Sequence, residues 1–201
     1  MKFSQWFKRV AVLIGFLVLA VVMSGCVAGQ SIGLRHVAGS VPEFTSGKTV
    51  SVETKDSRDF IVAGKKPPSY LGRLRGGYGN TWGVKNAGDV ALAAQFRNDL
   101  VAEFRSQGLE TVDSGDRRMS VDIRDWNFDA YLNGRIWYDI DIAVADASGK
   151  VLAKAKVKDE QVIRGSAMMG PTGAFKREVP LIYSGIIKEI LSNREIQKAL
   201  K

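Results

Sequence analysis

Cysteine and histidine are almost missing from this chain. Its 201 residues hold one of each, Cys26 and His36. One Cys excludes an intramolecular disulfide framework and any multi-cysteine zinc or iron–sulfur site. One His excludes the usual His-rich metal centres. No phosphate loop ending in Gly-Lys-Ser/Thr is present, and no internal repeat emerges. The chain is therefore expected to carry no metal and no cofactor. It is not short of apolar residues, at 45%, with 25% charged. That balance excludes wholesale disorder and suits one domain plus a targeting segment.

The targeting segment is explicit. Basic residues Lys2, Lys8 and Arg9 precede an uncharged run from Val10 to Met23, and Ser24-Gly25-Cys26 follows. Fourteen apolar positions fall short of the ~20 that a spanning helix needs. The order of basic flank, apolar run and small residues is that of a secretory signal rather than of a core helix or a spanning anchor. Met23-Ser24-Gly25-Cys26 resembles the lipobox of bacterial lipoproteins, with Met where Leu is commoner. The resemblance implies cleavage before Cys26, a diacylglyceryl thioether on its sulfur and an acylated new N-terminus. Each buried methylene contributes about 0.8 kcal/mol, so three chains hold a protein on its membrane while one binds only marginally. Val27, Ala28 and Gly29 follow the Cys and no Asp does. The expected address is the outer membrane, on its periplasmic face.

Removing Lys2, Lys8 and Arg9 with the leader leaves 26 bases against 21 acids, a net charge of +5. Mild basicity suits anionic headgroups or envelope polyanions, although a solvated surface has the same look. Export makes nucleic acid an unsuitable partner. The expected partners are the membrane, through Cys26, and an envelope protein or polymer.

Residues 26–48 show Gly, Ser and little periodicity, which predicts a flexible tether. His36 lies in it and is a poor catalytic candidate. Thr49 to Thr54 alternates as a half-buried strand and ends in the charged turn 55–59. Leu92, Phe96, Leu100 and Phe104 recur every four residues and predict a helix over 89–107, with Arg97, Asp99, Glu103 and Arg105 away from the stripe. Gly108 is suited to end it in the left-handed conformation, and a short strand over 109–112 follows. Alternation predicts strands over 119–124, 136–144 and 151–162, the last two joined by a hairpin loop at 147–149. Lys154, Lys156 and Lys158 are expected to face Asp139 and Asp141 across that pair. After a loop over 165–174, a helix runs to Leu191 with Pro180 near its first turn, and Ser192 or Asn193 caps a short last helix. The sum is an α+β fold of two layers, a mostly antiparallel sheet packed by two helices. The expected organisation is a signal peptide over 1–25, the tether over 26–48 and one domain over 49–201.

The lipobox at Cys26, the early strand ending in Asp56-Ser57-Arg58 and the helix followed by Gly108-Leu109 together resemble the YajG-type family of small bacterial lipoproteins. The return strand from Val151 and the Ile182–Leu191 helix with Asn193-Arg194-Glu195-Ile196 extend that resemblance. It implies an outer-membrane-anchored periplasmic domain and brings no catalytic residues.

Two stretches are candidate sites. In the first, Gly76 and Gly77 expose backbone N–H groups, Arg73 and Arg75 suit a carboxylate or phosphate, and Tyr78 and Trp82 suit a sugar face, with Asn80 between them. The alternative is a glycine-rich turn whose aromatics cover the sheet edge. The second stretch holds Trp126, Phe128, Tyr131 and Trp137. Trp126 and Trp137 are candidate partner contacts, unless a loop or helix covers them. Asp56, Ser57 and Asp59 at a strand end read as turn formers, and no nucleophile–base pair is visible. Met168-Met169-Gly170-Pro171 is either a contact loop or simply loop. The expected function is that of a non-enzymatic lipoprotein that binds an envelope component or supports an envelope assembly. The alternatives are an accessory subunit of a transport or appendage machine and, last, a hydrolase of envelope polymer.

Overall fold

Alternation of apolar and polar residues decides the sheet, and a four-residue apolar stripe decides the helix that covers it. The computed structural model describes residues 30–39, 41, 46–75, 80–130, 134–163 and 171–201. Among them are the strands β1 (Gln30–Ile32), β2 (Val50–Asp56), β3 (Tyr70–Arg75), β4 (Thr81–Asn86), β5 (Arg117–Ala130), β6 (Gly134–Asp146) and β7 (Val151–Ile163). The α-helices are α1 (Asp59–Val62), α2 (Leu92–Ser106), α3 (Pro171–Ser192) and α4 (Arg194–Leu200).

The strands form one mixed sheet in the order β1-β4-β3-β5-β6-β7, with β2 also on β5. The antiparallel pairs β5–β6, β6–β7 and β3–β4 dominate it. β1–β4, β2–β5 and β3–β5 are parallel. β2 runs beside residues 117–123 of β5 and β3 beside 129–130, so the two share one edge of β5 end to end.

Arg58 fills the notch between them. Its side chain is completely buried. Nε and Nη2 hold Asp56, at 2.8 and 2.6 Å, while Nη1 donates to the carbonyls of Tyr70 and Trp126. A guanidinium supplies five donors in a rigid fork, which lets one side chain satisfy a carboxylate and two strand carbonyls together. The charged turn expected at 55–59 thus contains one of the largest buried side chains of the protein.

β5 changes parity in the middle. Met119, Val121 and Ile123 face the core, and so do Trp126, Phe128 and Ala130. A bulge between Ile123 and Asp125 makes this possible, because one extra residue shifts every later side chain to the other face. Trp126 therefore meets Phe96 and Tyr183, at ring-centroid distances of 6.3 and 6.1 Å, rather than solvent.

α2, α3 and α4 cover one face of the sheet; α1 is a single turn that buries nothing. Among the described residues four α-helices thus stand where two are expected to pack the sheet; α4 is the expected short last helix, and α1 is unforeseen. The other corrections are local. Gln30–Ile32 pairs with β4, and Ile32, Leu34 and Val41 are buried, so much of the expected tether belongs to the fold. The strand expected over 109–112 reduces to one bridge between Thr111 and Val50. Pro180 lies inside α3, and Pro171 begins it. Gly108 adopts the expected left-handed conformation, with φ 78°. Asn193 is the residue that caps α4, its side chain accepting from the N–H groups of Glu195 and Ile196.

Gly72 marks the closest approach of β3 to the core. A Cβ there would lie 2.5 Å from the Phe128 ring and 2.6 Å from its carbonyl oxygen. Gly72→Ala is expected to destabilise the domain by about 1–3 kcal/mol, as overpacking does, read by urea denaturation.

Candidate functional site

Glu103 belongs by residue type to the polar side of α2, yet its side chain is fully buried. It lies three residues after Leu100 and one before Phe104, within the stripe. Its oxygens accept from His36 Nε2 (2.9 Å), Gly39 N (2.9 Å), Val41 N (3.3 Å) and Gln107 Nε2 (2.9 Å). Burial pushes the carboxyl up, but the bonds from His36, Gln107, Gly39 and Val41 outweigh it and hold Glu103 below the usual range. The other ring nitrogen of His36, Nδ1, lies 3.1 Å from Ser184 Oγ on α3. Ser184, His36 and Glu103 have the residue types of a hydrolytic triad, a set that sequence reasoning does not find. The same contacts fasten the entering segment to the helices: His36 joins α2 to α3, and Glu103 also holds the N–H groups of Gly39 and Val41. Structurally the cluster is a clasp.

The first predicted site lies at one end of the sheet. Arg73 Nε and Arg75 Nε and Nη2 bond Asp129, at 2.7, 2.8 and 2.6 Å. The Arg75 bond, joined by Arg73, holds the Asp129 carboxyl below its ordinary value despite partial burial. Two guanidiniums on one carboxylate leave this three-residue cluster one positive charge in excess. Trp82 stands opposite Leu74 and packs its inner side on the core, and Asn80 is exposed just before β4. Gly76, Gly77, Tyr78 and Tyr131 lie outside the described residues, as do Cys26 with its leader and Met168, Met169 and Gly170.

The second predicted pair divides. Trp126 is completely buried, which removes it as a partner contact. Trp137 is partly exposed on the face without helices, as its alternation predicts. On that face Lys156 bridges Asp139 and Asp141, at 2.9 and 3.0 Å, Lys158 reaches Asp139 (2.9 Å), and Arg124 reaches Asp122 and Asp141. The expected opposition of lysines and aspartates is therefore present for Lys156 and Lys158, whereas Lys154 stands opposite Ala143. Lys156 and then Lys158 hold Asp139 low, and Lys156 and Arg124 do the same for Asp141. Beside this lattice a hollow of about 460 Å³ is lined by Arg124, Asp125, Trp137, Asp139 and Lys158, among others. A neighbouring hollow of about 620 Å³ continues over Ser120, Asp141 and Lys156. Burial raises the Asp125 carboxyl, against bonds from the Trp126 backbone and the Trp137 side chain. The result is a shallow polar trough with one aromatic plate.

Neither a protein-family model nor a curated protein matches the chain. Solved structures do. The fold is shared with the protein XCC0632 from Xanthomonas campestris, a DUF330 protein. The TM-score is 0.53 and the identity 10%, over 80% of this chain and 93% of that one. A PelC dodecamer from Paraburkholderia phytofirmans aligns at TM-score 0.46 and 12% identity, over 79% and 94% of the two chains. A minor lipoprotein from Acinetobacter baumannii aligns at 0.43 and 8%, over 78% and 94%. The Xanthomonas likeness shows the fold alone, and it is coarser than the YajG-type resemblance. The relation is a distant one to small, sheet-rich bacterial domains, and not to YajG in particular.

Among the described residues, no helix is long and apolar enough to cross a membrane. None of them form a group of three or more His, Cys, Asp or Glu placed to hold a metal ion.

Proposed function

We propose that the chain is a non-enzymatic, lipid-anchored lipoprotein of the outer membrane, whose domain faces the periplasm and binds an envelope component across the open sheet face. The observation that carries this reading is the one-sided layering. Helices cover one face of the sheet, and the other presents Trp137 beside a trough of ordered, alternating charge. A partly exposed aromatic beside satisfied charges gives a partner apolar area without a large desolvation cost. Cys26, in its lipobox, supplies the anchor.

Two measurements test the reading. Intact mass of the membrane-extracted protein is expected to show acyl chains on Cys26, and Cys26→Ala to release the protein from membranes. A photo-crosslinking residue at position 137 is expected to capture one envelope component in cells, with Ser148, on the far hairpin, as the silent control. Equal capture at both positions, or an unmodified Cys26, would sink the proposal.

A further inference from the structure

The register gathers the ends of several strands at one end of the sheet. Leu74 pairs with Trp82 and Ala130, Ala130 with Gly134, and Gly134 with Ile163. β1 runs parallel to β4, with Gln30 opposite Val84, so β1 begins only two residues inside that same end. Glu103 fastens the segment behind β1, which fixes the point of entry.

We infer that this end of the sheet, with Arg73, Arg75 and Trp82, rests on the phospholipid headgroups of the bilayer that holds Cys26. The inference rests on the reading of Cys26 as acylated. Four residue steps separate Cys26 from Gln30, and they span at most about 14 Å. Trp82 lies two residues before Val84, at roughly 3.3 Å each along a strand, so about half of that reach is needed to draw level with it. An anchor on so short a lead keeps the bilayer close to the point where β1 begins. The side chains then select which surface turns toward it. Arg73 and Arg75 are 45% and 39% exposed on the open side of this end and share a single carboxylate, Asp129. Trp82 is partly exposed on the other side. Guanidiniums bind phosphate through paired N–H groups, and an indole with one wet and one apolar side suits the headgroup layer. The opposite end, at Ala147–Gly149, lies beyond the 13 residues of β6, roughly 40 Å away. In this orientation the strands stand up from the membrane, and the Trp137 trough faces sideways into the periplasm.

The test uses the full acylated chain in vesicles of phosphatidylethanolamine and phosphatidylglycerol that contain a headgroup-nitroxide lipid. Thr81→Cys and Ser148→Cys each add one labelling thiol, since Cys26 is blocked by its lipid. Thr81 and Ser148 are both exposed. A fluorophore at position 81 is expected to be quenched several-fold more than one at 148. Arg73→Gln with Arg75→Gln is expected to reduce the quenching at 81 while vesicle binding persists. Equal quenching at the two positions, or stronger quenching at 148, overturns the inference. Intact mass separates the two ways of failing. An acylated, vesicle-bound protein without quenching at 81 overturns the orientation alone, whereas an unacylated Cys26 overturns the anchor and the orientation with it.

Discussion

Arg58→Ala is expected to cost about 3–5 kcal/mol, the usual penalty for breaking a buried ion pair by removing one partner. The variant leaves Asp56 with its carboxylate 9% exposed and no cation beside it. It also leaves the carbonyls of Tyr70 and Trp126 without the Nη1 donor. Urea denaturation reads the loss as a lower midpoint. Arg58→Lys keeps the charge but not the fork, and is expected to recover only part of the stability. Replacing Asp56 and Arg58 together by apolar residues should be milder than the single change, because no charge is then stranded. A double variant as unstable as Arg58→Ala would show that the strand carbonyls, not the ion pair, dominate.

Glu103 makes stability depend on acid. Its folded pKa is lowered, so its contribution is fully present above the ordinary glutamate value of about 4.3 and fades as pH falls through the folded value. The melting temperature of the wild type is expected to drop across that window, and Glu103→Gln to flatten the drop. Glu103→Ala strands His36 Nε2 and the Val41 N–H, each buried orphaned donor costing about 1–3 kcal/mol, while the N–H of exposed Gly39 can turn to water. Amide exchange at Gly39 and Val41 should accelerate in this variant before exchange in β5 does. Equal acceleration in both would mean that the clasp and the core open together.

Much of this architecture is legible in the sequence where the pattern is local. The Leu92-to-Phe104 stripe, the left-handed Gly108, the long alternation of β6 and the lysine–aspartate opposition need only nearest neighbours. What is not legible depends on distant register. Trp126 reads as outward if the alternation of Met119 and Val121 is simply continued. The signal is Arg124-Asp125, two polar residues in succession, which marks the extra residue that reverses the faces. Arg58 is buried because two separate strands end on one edge of β5, a gap that no local pattern announces. Glu103 looks polar by type, although its spacing from Leu100 places it on the buried stripe. β1 is three residues long, too short for alternation to show, and only its partner β4 defines it. For the candidate sites, alternation places Trp137 correctly, while the partner of Arg73 and Arg75, Asp129, comes from a strand more than fifty residues away.

The clasped entry of the chain also has a mechanical side. A pull on the N-terminal end of β1 acts along the axis of the strand, so its bonds to β4 are loaded together in shear instead of being peeled in turn. Behind them the load is shared by Glu103, by Asn86, which accepts from the Leu34 N–H, and by the Ser46 bond to the Leu200 carbonyl. If those contacts yield, residues 30–48 lengthen the chain by roughly 60 Å, and Ile32, Leu34 and Val41 leave the core. On a lipid-anchored chain, as proposed above, this segment would be the first to lengthen under tension, ahead of the central strands β5 and β6.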